Sequence, residues 1–221
     1  MTEPQGDERE RFGTPAFYAG LGKAFVIMCA VIPVLFAIEL IDKASGHALD
    51  RDGAIVPHHI SGLDGIVFAP FLHVSFVHLY GNAVPLLLTG TFVLAAGGKR
   101  FLWITALIAL VSGLGVWFFG AGPTIGASGV IFGYLGYLFL RGLIERNWWN
   151  IAVALLVGLL FGTAITGVVP GNAGVSWQAH LFGFIGGLLA AVLFRRPRPK
   201  RKPATETPTD FPSTLTFPSA S

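Results

Sequence analysis

Apolar runs of membrane-spanning length recur along this 221-residue chain, and basic residues cluster in every second gap between them. A chain built this way is predicted to fold as an all-α polytopic membrane protein, since only helices and closed barrels satisfy their backbone in lipid. Arg9, Arg11 and Lys23 precede the first run, Lys99 and Arg100 divide the second from the third, Arg141 and Arg146 divide the fourth from the fifth, and Arg195 through Lys202 follow the last. The other loops hold only Lys43 and Arg51, beside Asp42, Asp50, Asp52 and Asp64. The positive-inside rule then places both termini in the cytoplasm and requires an even number of spans. Six are expected, at about Ala24 to Ile41, Val77 to Ala96, Phe101 to Phe119, Ser128 to Leu140, Trp148 to Thr166 and Ser176 to Phe194. Residues 1–16 read as a mobile cytoplasmic arm, 17–196 as the membrane domain, and 197–221 as a basic and then disordered tail rich in Pro, Thr and Ser. The first run has no Ala-x-Ala site before Glu39 and reads as a retained helix rather than a signal peptide. The basic tail matches anionic lipid headgroups as partners, with no need of nucleic acid. So compact a core points to a bacterial plasma membrane.

Some chemistries lack residues. The single cysteine, Cys29, excludes a disulfide framework or a thiolate metal cluster. The segment from Asp42 to Phe76 is too polar and broken to span, but Ile66 to Leu72 is apolar enough for the outer interface and reads as a lateral flap. His47, His58 and His59 fall in this segment and are read as exposed loop histidines, because no carboxylate or cysteine accompanies them at a ligand spacing. No metal and no cofactor are expected.

The stretch Thr124-Ile-Gly-Ala-Ser128-Gly-Val-Ile-Phe-Gly133 sets a hydroxyl at the start of a glycine-bare helix. From Ser128 to Arg141, taken as the cytoplasmic boundary, a helix covers only about 20 Å of a layer roughly 30 Å thick. Ser128 is thus predicted below the outer surface, preceded by irregular backbone from Gly120 to Ala127 that must line a wet cavity or be buried in protein. His180 lies about 22 Å from Arg195 by the same count, at nearly the same depth. Gly129, Gly133 and Gly136 on one helix, with Gly183 and Gly187 on the other, allow close packing, and a hydroxyl beside an imidazole is a usable nucleophile. His78 and Asn82, at i and i+4 near the outer end of the second span, are candidate donors to an oxyanion, together with the Ser128 amide. Taken singly, Ser128 and Asn82 are equally open to a packing role, and His180 to an interhelical hydrogen bond. No His-Glu-x-x-His occurs, and the second to sixth spans lack Asp and Glu, which removes a zincin, an aspartate pair and the acid of a triad.

Gly126-Ala-Ser128-Gly129, His73-x4-His78-x3-Asn82 and Ala179-His180-x2-Gly183-x3-Gly187 together resemble the motifs of the rhomboid family of intramembrane serine proteases. The resemblance runs from about Ala24 to Phe194. It implies a six-transmembrane-helix rhomboid-like bundle with Ser128 as nucleophile, His180 as general base, and His78 and Asn82 stabilising the oxyanion. It also implies transmembrane proteins as substrates, cut near the outer end of a span at a small residue. Two features depart from the family: no Trp-Arg pair occurs between Asp42 and Phe76, and Phe132 stands where a tyrosine often packs on the histidine. Two other readings stay open, a catalytically inactive rhomboid-like protein that binds transmembrane helices, and a small transporter, which predicts inverted repeats that are not visible here.

Overall fold

A computed structural model describes residues 13–160 and 175–195. Among these residues every regular element is helical, apart from one antiparallel bridge between Ile55 and Thr124. Helix α1, Pro15–Ala44, begins where the Thr14 hydroxyl accepts from the Phe17 amide at 3.1 Å and Pro15 takes a position that needs no N–H. It continues Pro33 within it and is longer than the expected first span at both ends. Helix α4, Phe76–Ala95, starts in the same way, with the Ser75 hydroxyl accepting from the His78 amide at 3.2 Å. Helix α5, Gly98–Phe119, follows a turn at Gly97, whose φ of 124° favours glycine. These three helices are long and apolar enough to cross a membrane.

Between α1 and α4 the chain forms two short helices, α2 (Ala48–Gly53) and α3 (Gly65–Phe68), with 3-10 turns at Ile60–Gly62 and Ala69–Phe71. Within the expected flap, Val67, Phe68 and Phe71 are exposed while Ala69 and Leu72 are buried. Helix α6 covers Ser128–Glu145, α7 Trp148–Leu160 and α8 Trp177–Leu193, the last capped by the Ser176 hydroxyl on the Ala179 amide. The remainder of the expected fifth span, to Thr166, lies outside the described residues, as do most of the expected arm and the whole tail.

Helix α6 sits at the centre, packed against α8, α7, α4 and α5, while α1 packs on α4 at the edge. Its Tyr134, Tyr137 and Leu138 join Ile104 and Ile108 of α5 and Leu79 and Val93 of α4 in the core. A phenol among such neighbours needs a partner, and Tyr134 finds the Thr105 hydroxyl at 2.7 Å. The helix also corrects one expectation. Arg141, taken as the limit of the fourth span, is packed inside the protein: it is 4% exposed, its Nε donates to Glu145 at 2.8 Å, and its guanidinium lies 5.7 Å from the Tyr137 ring centre. Charge paired inside the protein lets the helix run on to Glu145, which had been expected in a loop.

Candidate active site

Helix α5 supplies a second ruler for the depth of Ser128. Gly129 packs on Ser112, where a Cβ would strike the Ser112 hydroxyl. Ser112 stands seven residues, about 10 Å, inside the Phe119 end of α5. Ser128 is thus sunk below the end of its neighbour, at the first residue of α6 and half-buried.

The backbone leading to it is irregular but held. Ile55 and Thr124 exchange two amide-to-carbonyl bonds of 3.0 Å, and the Gly126 amide donates to the Ala69 carbonyl at 2.8 Å. The loop between α1 and α4 thereby satisfies groups that lipid could not. A cavity of about 20 Å³, lined by Ser112, Thr124, Gly126, Gly129 and Ala179 among others, adjoins this backbone and has room for one water.

His180 reaches the same place from α8. A Cβ on Gly183 would meet the carbonyl oxygen of Gly129, and one on Gly187 that of Gly133, so the two helices touch backbone to backbone. The Ser112 hydroxyl donates to the Ala179 carbonyl at 2.9 Å and fixes the register of α8 on α5. With that register, the His180 ring stacks on Phe132, one turn after Ser128, at 4.2 Å between centroids and 13° between planes. Phe132 occupies the tyrosine's position and retains the stack without a hydroxyl.

His78 and Asn82 approach from α4. Gly126 has φ of 126°, and a Cβ there would lie 2.8 Å from His78 Cε1, 3.1 Å from His78 Nε2 and 3.9 Å from Asn82 Nδ2. Both side chains converge on the residue two before Ser128. Asn82 is buried and its Nδ2 has no hydrogen-bond partner among the described residues, so it holds an unspent donor. His73 packs edge-on against His78 at 5.1 Å and is 1% exposed. Burial, helped by neighbouring His78 and opposed by the Phe71 carbonyl, holds its pKa down at about 4.

All four predicted site residues are thus gathered around the start of α6. Two contributors were missed. Ser112 signals itself only as a small polar residue in the Ser112-Gly-Leu-Gly115 run, and Gln178 not at all, although its Nε2 ties α8 to the Phe119 carbonyl at 2.8 Å. His47 corrects a second expectation, because carboxylates do accompany it: Asp42 Oδ2 lies 2.7 Å and Asp50 Oδ2 3.8 Å from its Nδ1.

A family model described as the Rhomboid domain matches residues 62–197. An uncharacterized protein of Mycobacterium tuberculosis is 43% identical over 181 residues, 77% of this chain and 75% of its own length. One of Mycobacterium leprae is 40% identical over 197 residues, 85% and 78% of the two chains. The rhomboid protease GluP of Bacillus subtilis is 34% identical over 134 residues, which cover 58% of this chain and 25% of that protein.

Proposed function

The chain belongs to the rhomboid family, and from that premise we propose that it is a membrane-embedded serine endopeptidase acting through a dyad of Ser128 and His180. The observation that carries this reading is the bare-glycine seam of α6 and α8, which seats the His180 ring on Phe132 one turn from Ser128. In the proposed reaction His180 accepts the Ser128 proton as Oγ attacks a substrate carbonyl. The tetrahedral oxyanion takes hydrogen bonds from the Ser128 amide, Asn82 Nδ2 and His78 Nε2. Among the described residues no side chain caps α6, which leaves its first amides for this use. Collapse expels the amine with the proton returned by His180, and a water activated by the same histidine then hydrolyses the acyl-enzyme. Without an acidic third member, the stack on Phe132 orients the imidazole.

The proposed substrates are transmembrane proteins, whose helix must unwind near its outer end before a carbonyl is exposed. The proposed topology is six spans with both termini in the cytoplasm, supported by the alternation of basic loops. Residues 17–196 form the membrane domain, lipids are its neighbours, and a bacterial plasma membrane fits its mycobacterial relatives. Ser128→Ala and His180→Ala are each expected to abolish cleavage of a single-span substrate in detergent or liposomes while leaving the melting temperature within a few degrees. Wild-type protein should be labelled at Ser128 by a fluorophosphonate. Full cleavage by either variant rejects the dyad, and an unlabelled, inactive wild type supports an inactive helix-binding protein instead.

A further inference from the structure

The end of α1 and the turn after it hold a second group of chemical side chains that the proteolytic reading does not use. His47 Nδ1, Asp42 Oδ2 and Asp50 Oδ2 all lie within 4.8 Å of one another. The backbone is shaped to bring them together. His47 takes a left-handed φ of 64°, its amide donates to the Asp42 carbonyl at 2.9 Å, and the Asp50 amide donates to Asp42 Oδ1 at 3.0 Å.

Water does not solvate these carboxylates. The Asp42 side chain is 1% exposed and that of Asp50 13%. Glu39 stands one turn before Asp42 on the same face of α1, is 2% exposed, and acts on the charge of Asp50. Its Oε2, like Asp50 Oδ1, is buried with no hydrogen-bond partner among the described residues. Lys43, next to Asp42 in the chain, turns its ammonium toward the Phe76 ring, 5.6 Å from the centroid, and Arg51, next to Asp50, donates from Nη1 to the Gly46 carbonyl at 2.6 Å. Three carboxylates therefore share one imidazole. Buried carboxylate oxygens without donors are costly unless a cation meets them.

We infer that Asp42, His47 and Asp50 form a binding site for a divalent first-row cation of the manganese or zinc type, with the buried Glu39 carboxylate adding negative charge beside it. One imidazole nitrogen among carboxylate oxygens suits these ions, whereas calcium and magnesium sites use oxygen alone. His47 is half exposed and leaves a path for entry. A cation here ties α2 to the end of α1, and so steadies the loop whose Ile55 and Ala69 hold the backbone before Ser128.

The test uses tag-free, full-length protein in detergent, stripped with EDTA and titrated calorimetrically with MnCl2, ZnCl2 and, for comparison, CaCl2. Expected is one equivalent of Mn2+ or Zn2+, bound roughly tenfold or more weakly by His47→Ala and by Glu39→Gln. Pulsed EPR of bound Mn2+ should show a nitrogen coupling that disappears in His47→Ala. Glu39→Gln leaves every Asp42 bond of the turn in place, His47→Ala keeps the two backbone-amide bonds to Asp42 but loses the Nδ1–Oδ2 bond of 2.7 Å, and a melting curve without metal checks that both variants fold. No saturable uptake, uptake unchanged in both variants, or calcium binding as tight as manganese overturns the site and leaves a His47–Asp42 pair that closes the loop unaided. Cleavage is not the readout, so this result and the test of the dyad fail independently.

Discussion

Two helix seams meet the same membrane requirement in opposite ways. Between α6 and α8 the missing side chains of Gly183, Gly187 and Gly136 face the carbonyls of Gly129, Gly133 and Phe184, so backbone meets backbone. Between α1 and α4 the contact is made by side chains: Gly90 faces the flexible end of Met28, and the Phe36 ring lies 6.2 Å from Phe76 and 5.0 Å from Tyr80. Side chains can rearrange by a rotamer, but a backbone cannot yield without moving its helix. The rigid seam carries His180 and Ser128, and the yielding one carries neither. Register is held tightly where the proposed dyad would share a proton.

Widening the rigid seam gives the largest effect expected. In Gly183→Ala the new methyl meets the Gly129 carbonyl, which has no rotamer to give. Helix α8 must shift by a fraction of an ångström to 1 Å, and a displacement of that size costs on the order of 100-fold in rate. Cleavage by Gly183→Ala, with the protein still folded by circular dichroism, should fall by about that factor. Activity within threefold of wild type means that the seam does not set the geometry.

Removing the stack tests the same register more gently. Phe132→Leu keeps an apolar side chain in the core but loses the plane lying 4.2 Å from His180. The histidine then keeps its helix but not its orientation, and kcat should drop about tenfold, the KM changing little, as for a group that acts only on the reacting atoms. Phe132→Tyr, which preserves the ring, should stay near wild type. Equal loss in both variants points to packing alone.

Helix α4 carries the yielding seam as well as His78 and Asn82, and His73, three residues before its start, allows a probe by pH. His73 has an ordinary value of 6.5 and a folded pKa of about 4, so the unfolded chain takes up a proton that the folded one refuses. Its contribution to stability is whole above pH 6.5 and is lost as pH falls toward 4. Asp50 runs the other way, because its pKa rises from 3.8 to about 6 on folding and favours the folded state as pH falls through that window. The two oppose each other in wild type, so the informative quantity is a difference. Relative to wild type, His73→Phe should gain several degrees in melting temperature between pH 7 and 4.5. Parallel curves for the two proteins would mean that His73 is protonated in the fold.

What could be read in advance follows this division. The glycine rows of α6 and α8 are periodic signals that show the close seam from the chain alone, and α4 and α8 start within one residue of the expected Val77 and Ser176, whereas α1 starts at Pro15, nine residues before the expected Ala24, on a Thr14 cap that an apolar run does not register. His180 and Ser128 follow from counting residues along helices. The end of α6 is expected too early, at Leu140, because charge in a sequence reads as loop, whereas Glu145, one turn on, and Tyr137 give Arg141 partners inside the protein. The grouping of His47 with Asp42 and Asp50 depends on one residue adopting positive φ, which no spacing rule for loops anticipates. Ser112 acts through a carbonyl on a helix 67 residues away, and a hydrogen bond of that kind leaves no trace in composition or period.

The smallest effect is expected at the yielding seam. A methyl at Gly90 meets only the Cε and Sδ of Met28, the far end of an unbranched side chain with three rotatable bonds. Met28 can swing away, because α1 is a peripheral helix whose other face carries exposed apolar residues such as Val26 and Val34. Gly90→Ala also gains helix propensity, about 1 kcal/mol in favour of alanine, against an overpacking cost of similar size. Stability should therefore change by about 1 kcal/mol or less, and cleavage by less than twofold. If Gly90→Ala instead matched Gly183→Ala in lost activity, α1 would be as much a part of the site's scaffold as α8, and the contrast between the seams would have to be abandoned.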